Sequence, residues 1–327
     1  MEMRTLGSTG IKISAAGLGA WAIGGEWTFD GGPAGWGKVD DAQSIRAIHT
    51  ALEAGMNLID TAANYGTGHS EEIVGQAVRD RRDKVVIATK FGFDVDEAAK
   101  RVEFFEDPRT VLDNLAFACE RSLRHLGSDY IDLYQFHMWD YPGEYVPDLI
   151  ERLERLVAQG KIRAYGWSTD NVELARLFAA GKHAAAIQHE ANVLKPAPAM
   201  FAFTADASLT SLIRGPLMMG FLSDKYDRDA TFVESDVRRL GFPPESIASI
   251  VANRLKIREV LTSGGRTVAQ GALAWLWAQG QQVVPIPGIR TEAQASENAA
   301  AMQFGPLTPA QVAEIETLLE RELPAKP

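Results

Sequence analysis

Eight short apolar runs, most of them followed by a segment of helical period, leave a chain of this kind few folds to choose from. The runs are Ala15 to Trp21, Asn57 to Ile59, Lys84 to Thr89, Tyr130 to Phe136, Ile162 to Trp167, Ala184 to His189, Leu209 to Ile213 and Val283 to Ile286. Runs this short and this apolar read as strands covered on both faces. Between them the periodicity predicts helices: one opening at Asp40-Asp41-Ala42, with Ile45, Ile48, Ala51 and Leu52 on its apolar face and Gly55 at its end, then Ser70 to Arg79, 109–126, 146–159, and Asn171 to Ala180. Gly127, Gly160 and Gly181 follow three of them, where a left-handed cap is wanted. Eight strands separated by helices favour an α/β chain closed into a parallel (β/α)8 barrel, a TIM barrel, over an open sheet. An N-terminal β-hairpin, Met3 to Leu6 and Ile11 to Ser14 turned at Ser8-Thr9-Gly10, precedes it. Barrels run to about 250 residues or more as one unit, so all 327 residues, 1–327, are expected to form a single domain. Arg214 to Gln282 departs from the regular repeat, with a polar stretch from Ser223 to Asp236 and helices at 245–262 and 267–279. Long loops at the C-terminal face of a barrel usually cover a site. The tail from Pro309 to Glu322 reads as an amphipathic helix with Val312, Ile315, Leu318 and Leu319 on one face.

The formal charge of −10 and pI near 5.2 argue against nucleic acid or an anionic membrane as partner, while leaving room for a local basic pocket. Met1-Glu2-Met3-Arg4 carries no apolar leader, and no window approaches a membrane span. The single cysteine, Cys119, falls on the core face of a helix and fits a reducing compartment. The expectation is a cytoplasmic protein, a monomer or small homo-oligomer, acting on small molecules.

Two phosphate-binding readings fail on context. Gly17-Leu18-Gly19-Ala20-Trp21-Ala22 matches a loose dinucleotide pattern, but the Gly- and Trp-rich residues after it are unsuited to the helix that pattern requires. No G-x-x-x-x-G-K-[ST] loop occurs. The six histidines form no H-x-H and no H-E-x-x-H, so no metal site is expected.

What stands out is a group of strand ends. Asp60 closes the second strand, with Tyr65 in the loop after it; Lys90 ends the third strand and His137 the fourth. A phenol with a pKa of about 10 is a weak proton carrier at neutral pH. A buried ammonium beside it is expected to lower that value, and a carboxylate paired with the ammonium to keep it charged. An imidazole opposite would orient a carbonyl oxygen, which makes a proton-donating site for a carbonyl–alcohol pair.

D-T-A-x-x-Y-G at Asp60, the T-K-F around Lys90 and D-L-Y-x-x-H ending at His137 make the chain resemble the aldo-keto reductase family of NAD(P)H-dependent enzymes. The resemblance runs from Arg4-Thr5-Leu6-Gly7 to Glu297-Asn298. It implies Tyr65 as general acid, Lys90 and Asp60 as the groups that tune it, and His137 as the group that orients a carbonyl substrate.

The same resemblance implies a cofactor site. Ser168 would hold the nicotinamide carboxamide, with Thr169 where the family often has Asn, and Gln188 as a further carboxamide ligand. Arg214, with Pro216 and Leu217, stands where many members stack a Tyr; Gly220, Leu222 and Lys225 match a loop folded over the pyrophosphate. Gly288, Arg290 and Gln294 match an adenosine 2′-phosphate site, and Glu297 and Asn298 the adenine contacts. Arg290 favours NADP(H) over NAD(H), though Gly288 replaces a Lys that several relatives carry. Trp21 and Trp139 are expected to line the substrate pocket. Two other classes remain open on sequence: a cofactor-sensing protein like the reductase-like β-subunits of potassium channels, and a metal-dependent barrel hydrolase.

Overall fold

The computed structural model describes residues 3–321; Met1, Glu2 and the expected helix end at Glu322 lie outside them. Eight parallel strands carry the fold, numbered here β1 (Leu18–Gly19), β2 (Leu58–Asp60), β3 (Val86–Phe91), β4 (Ile131–Phe136), β5 (Ile162–Ser168), β6 (Ala184–Glu190), β7 (Thr210–Arg214) and β8 (Val283–Pro285). Each pairs with its neighbours in chain order. The ends of the sheet meet, because the Gly17 and Gly19 amides donate to the Pro285 and Pro287 carbonyls at 2.9 Å. A parallel bridge from Gly19 to Gly288 completes a (β/α)8 barrel.

One core lies inside the barrel and another between strands and helices. Leu58, Val86, Leu133, Ala164, Leu212 and Val284 fill the interior with Leu6 and Ile13 of the hairpin Met3–Thr5 and Lys12–Ser14. The hairpin docks at the strands' amino ends, where Gly7 N–H donates to Thr210 Oγ1 (2.7 Å) and Ser14 N–H to Asn57 Oδ1 (2.7 Å). It stoppers that end, so chemistry is left to the other. The helices are placed by their caps. Asp40 accepts from Gln43 N at the start of Asp41–Glu53, Asp107 opens Pro108–Leu126, and Thr267 and Gln270 make a capping box for the wholly buried Val268–Trp277. Gly127 closes Pro108–Leu126 at φ 57°.

Four features depart from expectation. The first strand is shorter than Ala15 to Trp21: β1 stops at Gly19 and Trp21–Ile23 is a 3₁₀ turn. The Gly- and Trp-rich loop after β1 is partly a sheet, Gly32–Pro33 and Thr28–Phe29 pairing with Arg101–Glu103 and Asp94–Asp96 from the loop after β3. A helix, Pro198–Asp206, connects β6 to β7, with Pro at its start. The tail helix is Pro309–Leu318, and Leu318 faces outward, 37% exposed, while Glu316 is buried with its carboxylate bonded to Arg321 at 2.7 Å. Among the described residues no helix is long and apolar enough to cross a membrane.

One buried carboxylate away from the strand ends ties helix to helix. Glu71, in His69–Val78, accepts from Thr89 Oγ1 (2.5 Å) and pairs with His125 Nδ1 (3.2 Å), while Glu97 lies 3.4 Å from Nε2. The hydrogen bond to Glu71 raises the His125 pKa against the opposing effect of burial. A raised pKa adds stability below the unfolded value, about 6.5, and that contribution fades as pH rises through the folded value. The stability deficit of His125→Gln, followed by urea denaturation, should therefore be largest below about pH 6.5 and shrink toward alkaline pH.

Candidate active site

Four strands deliver side chains into the barrel near its carboxyl end: Asp60 from β2, Lys90 from β3, Gln135 from β4 and Gln188 from β6, all at most 3% exposed. The Lys90 ammonium donates to Asp60 Oδ2 at 2.6 Å, to the Thr61 carbonyl at 2.9 Å and to Tyr65 Oη at 3.1 Å. An ammonium has three protons, so it is fully used. The other Asp60 oxygen, Oδ1, accepts from Gln135 Nε2 (2.9 Å) and Gln188 Nε2 (2.8 Å). Gln188 also donates to Gln135 Oε1 at 3.2 Å. A carboxylate accepts only, so it fixes both amides with their nitrogens inward. The buried ion pair is thus hydrogen-bonded on every side, the condition under which burial of charge is tolerable.

Tyr65 hangs over this pair from a tight loop. Its carbonyl accepts from Ser70 N, and the Ser70 hydroxyl, donating at 2.9 Å to the Ala20 carbonyl, ties the loop to the end of β1. Gly66 (φ 64°) allows the close approach: a Cβ there would lie 1.8 Å from the Gly24 carbonyl oxygen. The Tyr65 ring stacks on Trp21 with centroids 6.0 Å apart, and packs edge-to-face with His137 at 6.0 Å. Because Lys90 can only donate, Tyr65 Oη accepts from it and keeps its own proton for the cavity.

The electrostatics correct one expectation. The Tyr65 pKa is raised, because burial disfavours the phenolate more than the Lys90 charge favours it, and Asp60 adds to the rise. Lys90, despite its burial, is held charged by Asp60 and Tyr65. His137 is pushed well below its usual range by burial and by the Lys90 and Arg214 charges, so it is a neutral imidazole. At neutral pH Tyr65 is a phenol, Lys90 an ammonium and His137 a neutral imidazole.

A cavity of about 1640 Å³ opens above Tyr65 and His137 and continues past Ser168, Gly215, Lys225 and Arg290 to Asn298. It exceeds the roughly 300–1,000 Å³ of an ordinary ligand site. Of the expected cofactor residues, Ser168, Gln188, Arg214, Pro216, Leu217, Gly220, Lys225, Gly288, Arg290, Gln294, Glu297 and Asn298 line it, as do Trp21 and Trp139. Thr169 and Leu222 do not. Thr169 is fully buried and donates its hydroxyl to the Trp139 carbonyl at 2.9 Å; the Leu222 side chain is fully buried in the core. Arg214 is ion-paired to Asp170, with Glu190 at 3.7 Å. Arg290 donates to the Trp36 carbonyl at 3.0 Å and to that of Lys38 at 2.5 Å, fastening the loop after β1.

Several lining or supporting groups escaped the sequence. Gln135, on β4, lies two residues before His137, which follows the strand's last residue, a spacing that in extended chain turns both side chains the same way. Phe29, Phe93, Phe104 and Trp139 form an aromatic cluster with centroids 5.0–6.1 Å apart, and Phe93 also meets His137 at 5.4 Å. It depends on the small sheet joining the loops after β1 and β3. The loop after β1 also meets the cover after β7, where Val237 N–H donates to the Gly35 carbonyl at 3.0 Å and Arg238 lies 4.7 Å from the Trp36 ring centre.

Residues 15–320 match the Aldo/keto reductase family. The chain is similar to the aldo-keto reductase YhdN of Bacillus subtilis (strain 168), 32% identical over 331 residues that cover 99% of this chain and 95% of that protein. It is similar also to an NADH-specific methylglyoxal reductase of Escherichia coli (strain K12), 30% identical over 314 residues, 93% of this chain and 94% of that one. A solved glycerol dehydrogenase from Gluconobacter oxydans superposes with a TM-score of 0.83 at 32% identity, covering 99% of this chain and 97% of the other.

The ion pair generates a stability prediction. Lys90→Met leaves Asp60 buried without its counter-charge and should cost about 3–5 kcal/mol in chemical denaturation. Adding Asp60→Asn should recover much of that loss, and a loss unchanged in the double variant would show that the two groups are not coupled.

Proposed function

The chain belongs to the aldo/keto reductase family, and from that footing we propose that this oxidoreductase, acting as a single domain over residues 1–327, reduces an aldehyde or ketone to its alcohol, or runs the reverse, with Tyr65 carrying the proton. The observation behind the assignment is the Lys90 ammonium, which is satisfied by Asp60, Thr61 and Tyr65 and leaves the phenol proton directed at the cavity beside His137.

The residues fit a nicotinamide dinucleotide. Ser168 and the free oxygen of Gln188 would take the carboxamide, the turn from Gly215 to Gly220 and Lys225 the pyrophosphate, and Arg290, Gln294, Glu297 and Asn298 the adenosine end. When bound, such a cofactor supplies the hydride. The protein's part is to place and protonate. His137 and Tyr65 converge on one oxygen of the substrate, and Tyr65 Oη passes its proton there as charge develops on it. The phenolate left behind faces an ammonium 3.1 Å away, whose charge is kept by Asp60. A raised pKa suits a donor, because the proton is present at neutral pH, and Lys90 offsets the cost of losing it. Trp21, Phe93 and Trp139 wall the space around the oxygen site and leave room for an apolar group on a small carbonyl substrate.

Cofactor choice rests on Arg290. We infer a preference for NADP(H), with the N–H groups of Arg290 not engaged by Trp36 and Lys38 turned to the 2′-phosphate. Arg290→Ala should weaken NADPH binding about tenfold, equal to about 1.4 kcal/mol, and leave NADH binding within about twofold, both read by fluorescence titration. Equal losses for both cofactors would assign Arg290 to loop anchoring alone. For the reaction itself, Tyr65→Phe should lower kcat about 10³-fold across a panel of aldehydes and ketones while cofactor affinity holds. Full turnover in that variant would remove Tyr65 from the mechanism.

A further inference from the structure

His137 is neutral, so it carries one N–H and has one bare nitrogen. Whatever meets one ring nitrogen decides what the other can offer. The side chain that meets Nδ1 is Asn64, 3.1 Å away through its amide oxygen and only 7% exposed. Asn64 immediately precedes Tyr65 and lines the same cavity. In this arrangement Nδ1 must hold the proton, which leaves Nε2 as an acceptor. An acceptor cannot hydrogen-bond to the oxygen of a carbonyl. Rotation of the amide about Cβ–Cγ exchanges its oxygen and nitrogen, lets Nδ2 donate to Nδ1, and places the single imidazole proton on Nε2.

We propose that Asn64 is a positioning residue that selects which nitrogen of His137 bears the proton, and that carbonyl reduction uses the state in which the Asn64 amide donates to Nδ1. The inference rests on the carbonyl reaction proposed above, since only a carbonyl oxygen requires a donor there. The geometry supports a local device. The His137 backbone is pinned by its N–H donating to the Phe91 carbonyl at 2.8 Å, and the ring is flanked by Phe93 and Tyr65. The loop carrying Asn64 is pinned too, with Thr67 N–H donating to the Asn64 carbonyl at 3.2 Å. Neither the imidazole nor the loop has to move; one amide turns. The charged groups acting on the ring, Lys90 of β3 and Arg214 of β7, are both cationic and oppose a second proton. The ring therefore cannot supply both N–H groups by becoming imidazolium at neutral pH. A neutral amide partner, able to donate or accept, suits this position, whereas a carboxylate would accept only.

The test compares wild type, Asn64→Asp and Asn64→Leu with NADPH bound. ¹⁵N NMR of labelled histidine reads the His137 tautomer, and steady-state kinetics on one good aldehyde gives a pH profile. Wild type is expected to show Nε2–H and a flat kcat from pH 6 to 8. Asn64→Asp should show Nδ1–H at pH 8 with kcat reduced at least tenfold. Its activity should return toward acid pH, as the new carboxylate lets the ring take a second proton and regain Nε2–H. Asn64→Leu can neither donate nor accept, and should fall between the two without the acid recovery. Cofactor KM should stay within twofold in all three. Wild type found as Nδ1–H while turning over normally, or an Asn64→Asp enzyme with the wild-type tautomer, would overturn the proposal. So would a kcat loss of unchanged pH shape, which would mean packing alone. If wild type bound cofactor but reduced no carbonyl, the failure would lie in the reaction assignment, and the NMR comparison would still decide the role of Asn64.

Discussion

A lysine ammonium has three protons to place, and in this barrel Lys90 places them on Asp60, Thr61 and Tyr65 with none left over. That constraint organises the site. A fully buried ammonium without partners would lose its charge or unfold the chain. Asp60 at the end of β2 favours the charged form of Lys90, and the second Asp60 oxygen accepts from two amide donors, Gln135 and Gln188, from β4 and β6. The closed parallel barrel brings the carboxyl ends of β2, β3, β4 and β6 into one polar network, and the hairpin at the amino end leaves the carboxyl end as its opening.

The same burial sets the protonation states. Solvent exclusion raises the phenol, and with two nearby cations it lowers the imidazole, so each sits in its neutral form. A donor that is certain to hold its proton, and a nearby cation that makes losing it affordable, suit a reaction in which oxygen gains charge. The cover from the β7 loop meets the loop after β1 through Gly35, Trp36, Val237 and Arg238, so the chamber is walled on the side away from the barrel.

Much of this is legible in the chain before any coordinates. Strand ends carry their own signal, an apolar run stopped by Asp60, Lys90 or His137, and helix ends are marked by Asp40, Asp107, Thr267 and Gly127. What is hidden depends on depth and on contacts between loops. The Coulomb pull of Lys90 on Tyr65 can be reasoned from residue types, but its loss to desolvation requires knowing how deep the phenol lies. Thr169 and Leu222 sit beside cavity residues in sequence yet turn inward. The small sheet of Thr28–Phe29 and Arg101–Glu103 joins segments about seventy residues apart, each too short and too polar to announce a strand. Asn64 reads as an ordinary turn residue until His137 is found against it.

The buried pair beneath Tyr65 leaves a protonated phenol facing the cavity. The direct test is ¹³C NMR of protein labelled at tyrosine Cζ, with Tyr65 assigned by its loss in Tyr65→Phe and followed against pH in the free protein. Tyr65 should give a neutral phenol signal at every pH below about 10, the ordinary tyrosine value. A phenolate signal for Tyr65 near neutral pH would mean that the Lys90 charge outweighs burial, and would contradict this protonation state.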